Sequence, residues 1–119
     1  MSLAARHLEE NGVPTVIMGS ARDIVEECGV PRFVFTDFPL GNPCGKPGDA
    51  AMQRSIVGIA LDTLERAWAP RTTVQTPFRW GSDEWRENFM RVDDSNREAL
   101  ARAGEERRRQ QAEAKKRGR

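Results

Sequence analysis

Two copies of one three-residue word, Gly12-Val13-Pro14 and Gly29-Val30-Pro31, stand seventeen residues apart in this chain. Each closes a helical pattern and opens a short run of apolar, β-branched residues. A glycine that stops a helix, with a proline two residues on that cannot continue it, fixes both boundaries. The two words therefore mark a repeated helix-then-strand unit, and that repeat restricts the chain to the α/β class.

The first unit reads as a helix over residues 3–11, with Leu3, Ala4 and Leu8 on one stripe, and then a strand over Thr15-Val16-Ile17-Met18. The second begins at Ser20, with Asp23 three residues on as an acidic capping box, and with Ile24, Val25 and Cys28 on the inner face. Its strand is Arg32-Phe33-Val34-Phe35-Thr36. The uninterrupted apolar character of both strands predicts parallel strands buried on both faces, Val16, Ile17, Val34 and Phe35 included. Asp49 caps a third helix running to about Ala67, with Met52, Ile56, Ile59, Ala60, Leu64, Ala67 and Trp68 at helical spacing. Thr72 to Thr76 has strand propensity and adds an edge strand before Pro77. The expected fold is a small parallel sheet of two or three strands flanked by helices, half of a Rossmann or flavodoxin-like arrangement, with a helical C-terminal tail. Residues 1–92 form the α/β domain, and residues 93–119 a charged, helical and partly disordered tail. So narrow a sheet has two open edges, so a second copy or a partner chain is expected beside it.

Charge excludes some partners. The 19 Lys and Arg nearly balance the 18 Asp and Glu, so no global field draws nucleic acid or a membrane surface. Residues 105–119 hold seven basic and three acidic groups, which makes the body mildly acidic and the tail basic. The tail reads as a solvated helix, with RNA or an acidic protein surface as the alternative. No apolar run approaches the length of a membrane span, and two widely separated cysteines without a signal peptide predict free thiols in a reducing cytoplasm. No metal site is expected, because His7, Cys28 and Cys44 do not fall at paired-ligand spacing. No bound cofactor is expected either: GxGxxG is absent, and Pro47 stands where a phosphate-binding Gly-Lys motif needs Ser or Thr.

The chemistry concentrates in Thr36-Asp37-Phe38-Pro39-Leu40-Gly41-Asn42-Pro43-Cys44-Gly45-Lys46-Pro47-Gly48-Asp49. A strand-to-helix corner usually takes two to six residues, and this one takes about a dozen. It leaves the second strand at its carboxyl end, where open parallel sheets bind ligands. Asp37, Gly41, Asn42, Gly45, Lys46 and Asp49 are the candidate substrate- or anion-binding residues, beside the N-terminus of the third helix. Cys44 is the candidate catalytic thiol, favoured as a thiolate by Lys46 and that helix end. A rigid connector is the plain alternative. Cys28 reads as an inert apolar residue, His7 as a solvated surface histidine, and Trp80 and Trp85 as packing residues.

The run ARHLEENGVPTVIMGSARDIVEECGVPRFVFTDFPLGNPCGKPGDAAMQRSIVGIALDTLERA, followed by PRTTVQTPFRW, resembles the C-terminal part of the glycine/sarcosine/betaine/D-proline reductase component B family, the selenoprotein B-like proteins. The matching words are Gly-Val-Pro-Thr-Val after the first helix, Asp23-Ile24-Val25-Glu26, Thr36-Asp37-Phe38-Pro39-Leu40-Gly41 and Gly45-Lys46-Pro47, and they span roughly residues 5–80. The resemblance implies a reductase. Such enzymes cleave a C–N bond in glycine-like amines, or open D-proline, with a selenocysteine or cysteine and a carbonyl group on a companion subunit. The family's redox motif is expected upstream of the residues seen here, so no catalytic residue carries over, and Cys44 is a candidate by position alone. The implied function is a subunit or fragment whose loop 37–49 completes a site shared with a companion subunit that holds the redox motif. The small substrate would be an amine or carboxylate. The alternative is a non-catalytic α/β binding or assembly module, tethered by its basic tail.

Overall fold

The computed structural model describes residues 1–89 and 91–117. In chain order the elements are α1 (Ser2–Glu10), β1 (Ile17–Gly19), α2 (Arg22–Glu27), β2 (Arg32–Phe35), α3 (Ala50–Arg66), β3 (Thr72–Gln75), α4 (Glu84–Asn88) and α5 (Arg97–Arg117). The three strands form one parallel sheet in the order β1-β2-β3. Ile17 lies opposite Phe33 in the first ladder, and Phe33 opposite Thr73 in the second. This is the expected small α/β fold, with Thr72–Gln75 as the third strand at an edge.

Both Gly-Val-Pro words do what their composition demands. Gly12 and Gly29 take φ of 81° and 72°, the left-handed cap that ends α1 and α2. At Gly29 a side chain would also collide with Arg71, whose Nη2 lies 2.7 Å from the place of a Cβ.

The core sits around β2, the central strand. Phe33 and Val34 are buried, and their side chains alternate across the sheet as the pleat requires. Phe33 and Val25 of α2 both close in on Gly19, where an added Cβ would stand 3.0 Å and 3.7 Å from them, and Thr73 on the Phe33 face donates its hydroxyl to Glu26 at 2.8 Å. Ile59 and Thr63 of α3 lie beside Val74 on the opposite face, so helices cover the sheet on both sides. Ile56, Ala60 and Thr63 are the buried positions of α3, and Asp49 caps it by accepting from the Met52 N–H at 3.0 Å.

Several expectations about burial need correction. The Leu3 and Leu8 stripe of α1 faces outward, Leu3 being 71% exposed, and Ala5 is the residue that packs. Ile24 and Trp68 are exposed rather than inward, and β1 is only half-buried. The reason is width: three short strands present too little surface to cover every apolar position the flanking helices carry. The capping box at Ser20 does not form either. Strand β1 runs on to Gly19, α2 starts at Arg22, and Ala21 takes the cap position without a side-chain bond.

A polar lock ties α1 to the amino ends of the strands. Glu9 Oε1 accepts from the Thr15 N–H at 2.5 Å, the Thr15 hydroxyl at 3.0 Å and Arg32 Nη1 at 2.7 Å. Partial burial pulls the Glu9 carboxyl upward, but the Thr15 hydrogen bonds and the Arg32 charge outweigh it, and the net shift is below the ordinary value of 4.5. A depressed folded-state value means stability that is fully present above about 4.5 and is lost as the pH falls through the lower folded value. Glu9→Gln is therefore expected to destabilise the protein by about 1 kcal/mol at neutral pH, the low end for a charge-assisted bond at a partly exposed site. Urea midpoints of parent and variant should converge well below pH 4.5. A difference that stays constant on acidification would remove Glu9 as its source.

The chain divides into two units, Met1–Arg86 and Glu87–Arg119. In the second, Asp93 accepts from the Ser95 N–H at 3.0 Å in the turn ahead of α5. Helix α5 continues to Arg117, and none of its residues 97–116 is buried. Its charges pair along the helix, Arg102 with Glu98 and Arg109 with Glu113, as i,i+4 contacts on solvated faces do. Among the described residues no helix is long and apolar enough to cross a membrane.

Candidate functional site

Strands β2 and β3 run parallel, so both chains leave the sheet at the same edge. The segment after β2 begins Thr36-Asp37-Phe38, and the segment after β3 reads Thr76-Pro77-Phe78-Arg79-Trp80-Gly81. Thr36 and Thr76, both buried, clamp the two exits together through their hydroxyls at 3.2 Å. Phe38 turns inward to 1% exposure and meets the Trp80 ring edge-on, with centroids 5.2 Å apart and planes 70° apart. That aromatic contact joins the loop predicted from sequence to a second wall.

Between them lies a cleft of about 330 Å³. Asp37 lines it from the β2 side, and Arg79, Trp80, Asp83, Trp85 and Arg86 line it from the other. Arg86 forms an ion pair with Asp37, and its Nε lies 3.3 Å from Asp83. Its guanidinium stacks over Trp85 at 4.6 Å from the ring centroid. The hydrogen bonds to Asp37 and then Asp83 push the Arg86 pKa up, so its charge is fixed throughout the physiological range. Lys46 places its ammonium 5.7 Å from the Trp80 centroid, and it is held there through its backbone, whose carbonyl accepts from Gln53 Nε2 at 2.7 Å.

The candidate loop residues thus divide by task. Asp37 reaches the cleft, and Lys46 reaches the Trp80 wall. Asn42 braces the loop, its N–H and its amide both donating to the Pro39 carbonyl. Gly41 and Gly45 turn the chain at φ of 95° and 112°. The Asp49 carboxylate itself occupies the start of α3. Cys44 is a free, half-buried thiol and is not among the cleft's lining residues, and Cys28 is likewise free and half-buried. No cluster of metal-ligating side chains occurs among the described residues.

Arg79, Asp83 and Arg86 were not singled out by sequence reasoning, and Trp80 and Trp85 were read only as packing. The signal was present: the rule that directs attention to the carboxyl end of β2 applies equally to β3, once Thr72–Gln75 is taken as a parallel strand. Trp80 does pack, against Phe38, and it also lines the cleft.

Chemically the cleft offers two carboxylates, two guanidinium groups and two indole faces within one small space, with the Lys46 ammonium beside its Trp80 wall. It suits a small molecule bearing charge of both signs. Over 78 residues, 66% of this chain, the sequence is 30% identical to D-proline reductase subunit gamma of Acetoanaerobium sticklandii. The match covers 32% of that subunit, so the chain spans about a third of the length of this curated relative. The likeness supports a relation to a reductase family without singling out one component of it. No protein-family model matches the chain, and no solved structure matches it.

Proposed function

We propose that this chain is a subunit or fragment of a thiol- or selenol-dependent reductase of the glycine/sarcosine/betaine/D-proline type, in the manner of component B, and that it supplies one wall of a site completed by a companion subunit. The observation that carries the reading is the cleft at the carboxyl ends of β2 and β3, lined by both signs of charge and two indoles. Lys46 and Arg79 receive the carboxylate of a small amine-bearing acid. Asp37 and Asp83, already drawn to Arg86, receive its ammonium, and the faces of Trp80 and Trp85 exclude water around the C–N bond. Cys44 is the thiol this chain contributes beside that wall. The redox pair that delivers the two electrons belongs to the companion chain. Two free thiols and a nearly neutral surface suit such an enzyme in the cytoplasm.

Tryptophan fluorescence tests the reading, in a Trp68→Phe background so that the emission reports Trp80 and Trp85. Glycine, betaine and D-proline are titrated in turn. A saturable change with at least one of them, weakened several-fold by Lys46→Ala, is the expected result. No saturable change with any of them, or binding that Lys46→Ala leaves untouched, would sink it.

A further inference from the structure

Among the described residues, no strand or loop pairs with the outer edge of β3. Thr72 and Thr76 donate their N–H groups back to Pro31 and Phe35, so the alternate residues Thr73 and Gln75 turn their main-chain groups away from the sheet. Natural edges are usually blunted by a charge, a proline or a bulge. Thr72–Gln75 carries none of these. The opposite edge differs: just ahead of β1, the Thr15 N–H is taken by Glu9, and its carbonyl accepts from Arg32 at 3.3 Å. Beside β3 lies an apolar groove formed by Ile59, Thr63 and Val74, next to Trp68, which is 92% exposed.

We propose that a second copy of this chain covers this edge, with β3 pairing antiparallel to its own symmetry mate about a two-fold axis at Val74. The pleat dictates the register. Only Thr73 and Gln75 have outward main-chain groups, so Thr73 of each copy faces Gln75 of the other, and Val74 faces Val74. The two hydrogen-bonded pairs contribute about four main-chain bonds, and Pro77, which has no N–H, ends the ladder on each side. Val74 then forms a non-hydrogen-bonded pair on the axis, where side chains approach most closely, on the face of the exposed Trp68. Charge favours the same occupant. The paired strands contain no charged residue, so no like charges come opposite. Asp62 and Arg66 both border the groove, so each copy presents one acid and one base to the same set on its mate. The interface adjoins the cleft, since Gln75 also lines it, but the proposal does not rest on the function proposed there.

The test uses the full chain in sedimentation equilibrium at tens of micromolar. The parent should be a dimer. Gln75→Pro removes an outward N–H that the sheet itself does not use, an exchange that edge strands tolerate, and it should weaken association at least tenfold with an unchanged circular dichroism spectrum. Val74→Cys provides a second measurement that needs no loss of structure. On mild oxidation it should form a symmetric disulfide between the two position-74 thiols, identified by peptide mapping apart from Cys28 and Cys44. A monomeric parent would overturn the proposal and leave the edge to a strand of another polypeptide. A dimer unaffected by Gln75→Pro, with no bond between the position-74 thiols, would also overturn it.

Discussion

Phe38→Ala is expected to cost the Met1–Arg86 unit about 3–5 kcal/mol, the range for deleting a fully buried aromatic ring. Phe38 lies in a loop by sequence, yet its ring is as buried as that of Phe33 in the central strand. Its edge-on contact with Trp80 adds to the loss, since such aromatic pairs contribute about 0.5–1.5 kcal/mol beyond area alone. A unit of this size has about 5–15 kcal/mol in all, so the variant should sit near its unfolding midpoint in modest urea. Phe38→Leu keeps most of the volume and should retain the fold with a loss nearer 1 kcal/mol. In both variants Trp80 emission should shift to longer wavelength as its inner edge becomes wet. A destabilisation below about 1 kcal/mol for Phe38→Ala would show that the two exits from the sheet are held together by the Thr36–Thr76 hydroxyl contact instead.

The sequence was most informative where structure is local. The Gly-Val-Pro words, the Asp49 cap and the β-branched run at Thr72 each act through neighbours a few residues away, and each appears in the fold as read. Burial was less legible. Periodicity identifies an apolar stripe on a helix, but whether anything covers Leu3, Leu8 or Ile24 depends on the width of a sheet whose strands are only three or four residues long. The candidate site was half legible for a similar reason. Loop 37–49 stands out by its length and its glycines. Its opposing wall arrives through the pairing of Asp37 with Arg86, 49 residues along the chain, and of Phe38 with Trp80. Such pairings come from strand order, and one sequence read by itself does not state strand order.

Gly45→Ala should be the most damaging single-methyl change in the candidate loop, at about 2–4 kcal/mol. Two costs combine. At φ of 112° the residue lies in backbone space that side chains rarely enter, which costs about 1–3 kcal/mol. The added Cβ would also stand 3.2 Å from Gln53 Cγ, 3.3 Å from Ile56 Cδ1 and 3.4 Å from Met52 Cγ. Ile56 is fully buried and has nowhere to retreat. Gln53 can give way only by moving the amide that donates to the Lys46 carbonyl, so the same methyl that strains the core also releases the lysine beside Trp80. Gly41→Ala is the control, because Gly41 has a φ of 95° but nothing within 4 Å of the place of its Cβ. It carries the backbone cost without the crowding. Urea unfolding should therefore separate the two variants by about 1–2 kcal/mol, with Gly45→Ala the weaker, and equal losses would mean that the α3 side chains yield freely. On the function proposed above, only Gly45→Ala should also weaken carboxylate binding, since only there does the strain pass through Gln53 to Lys46.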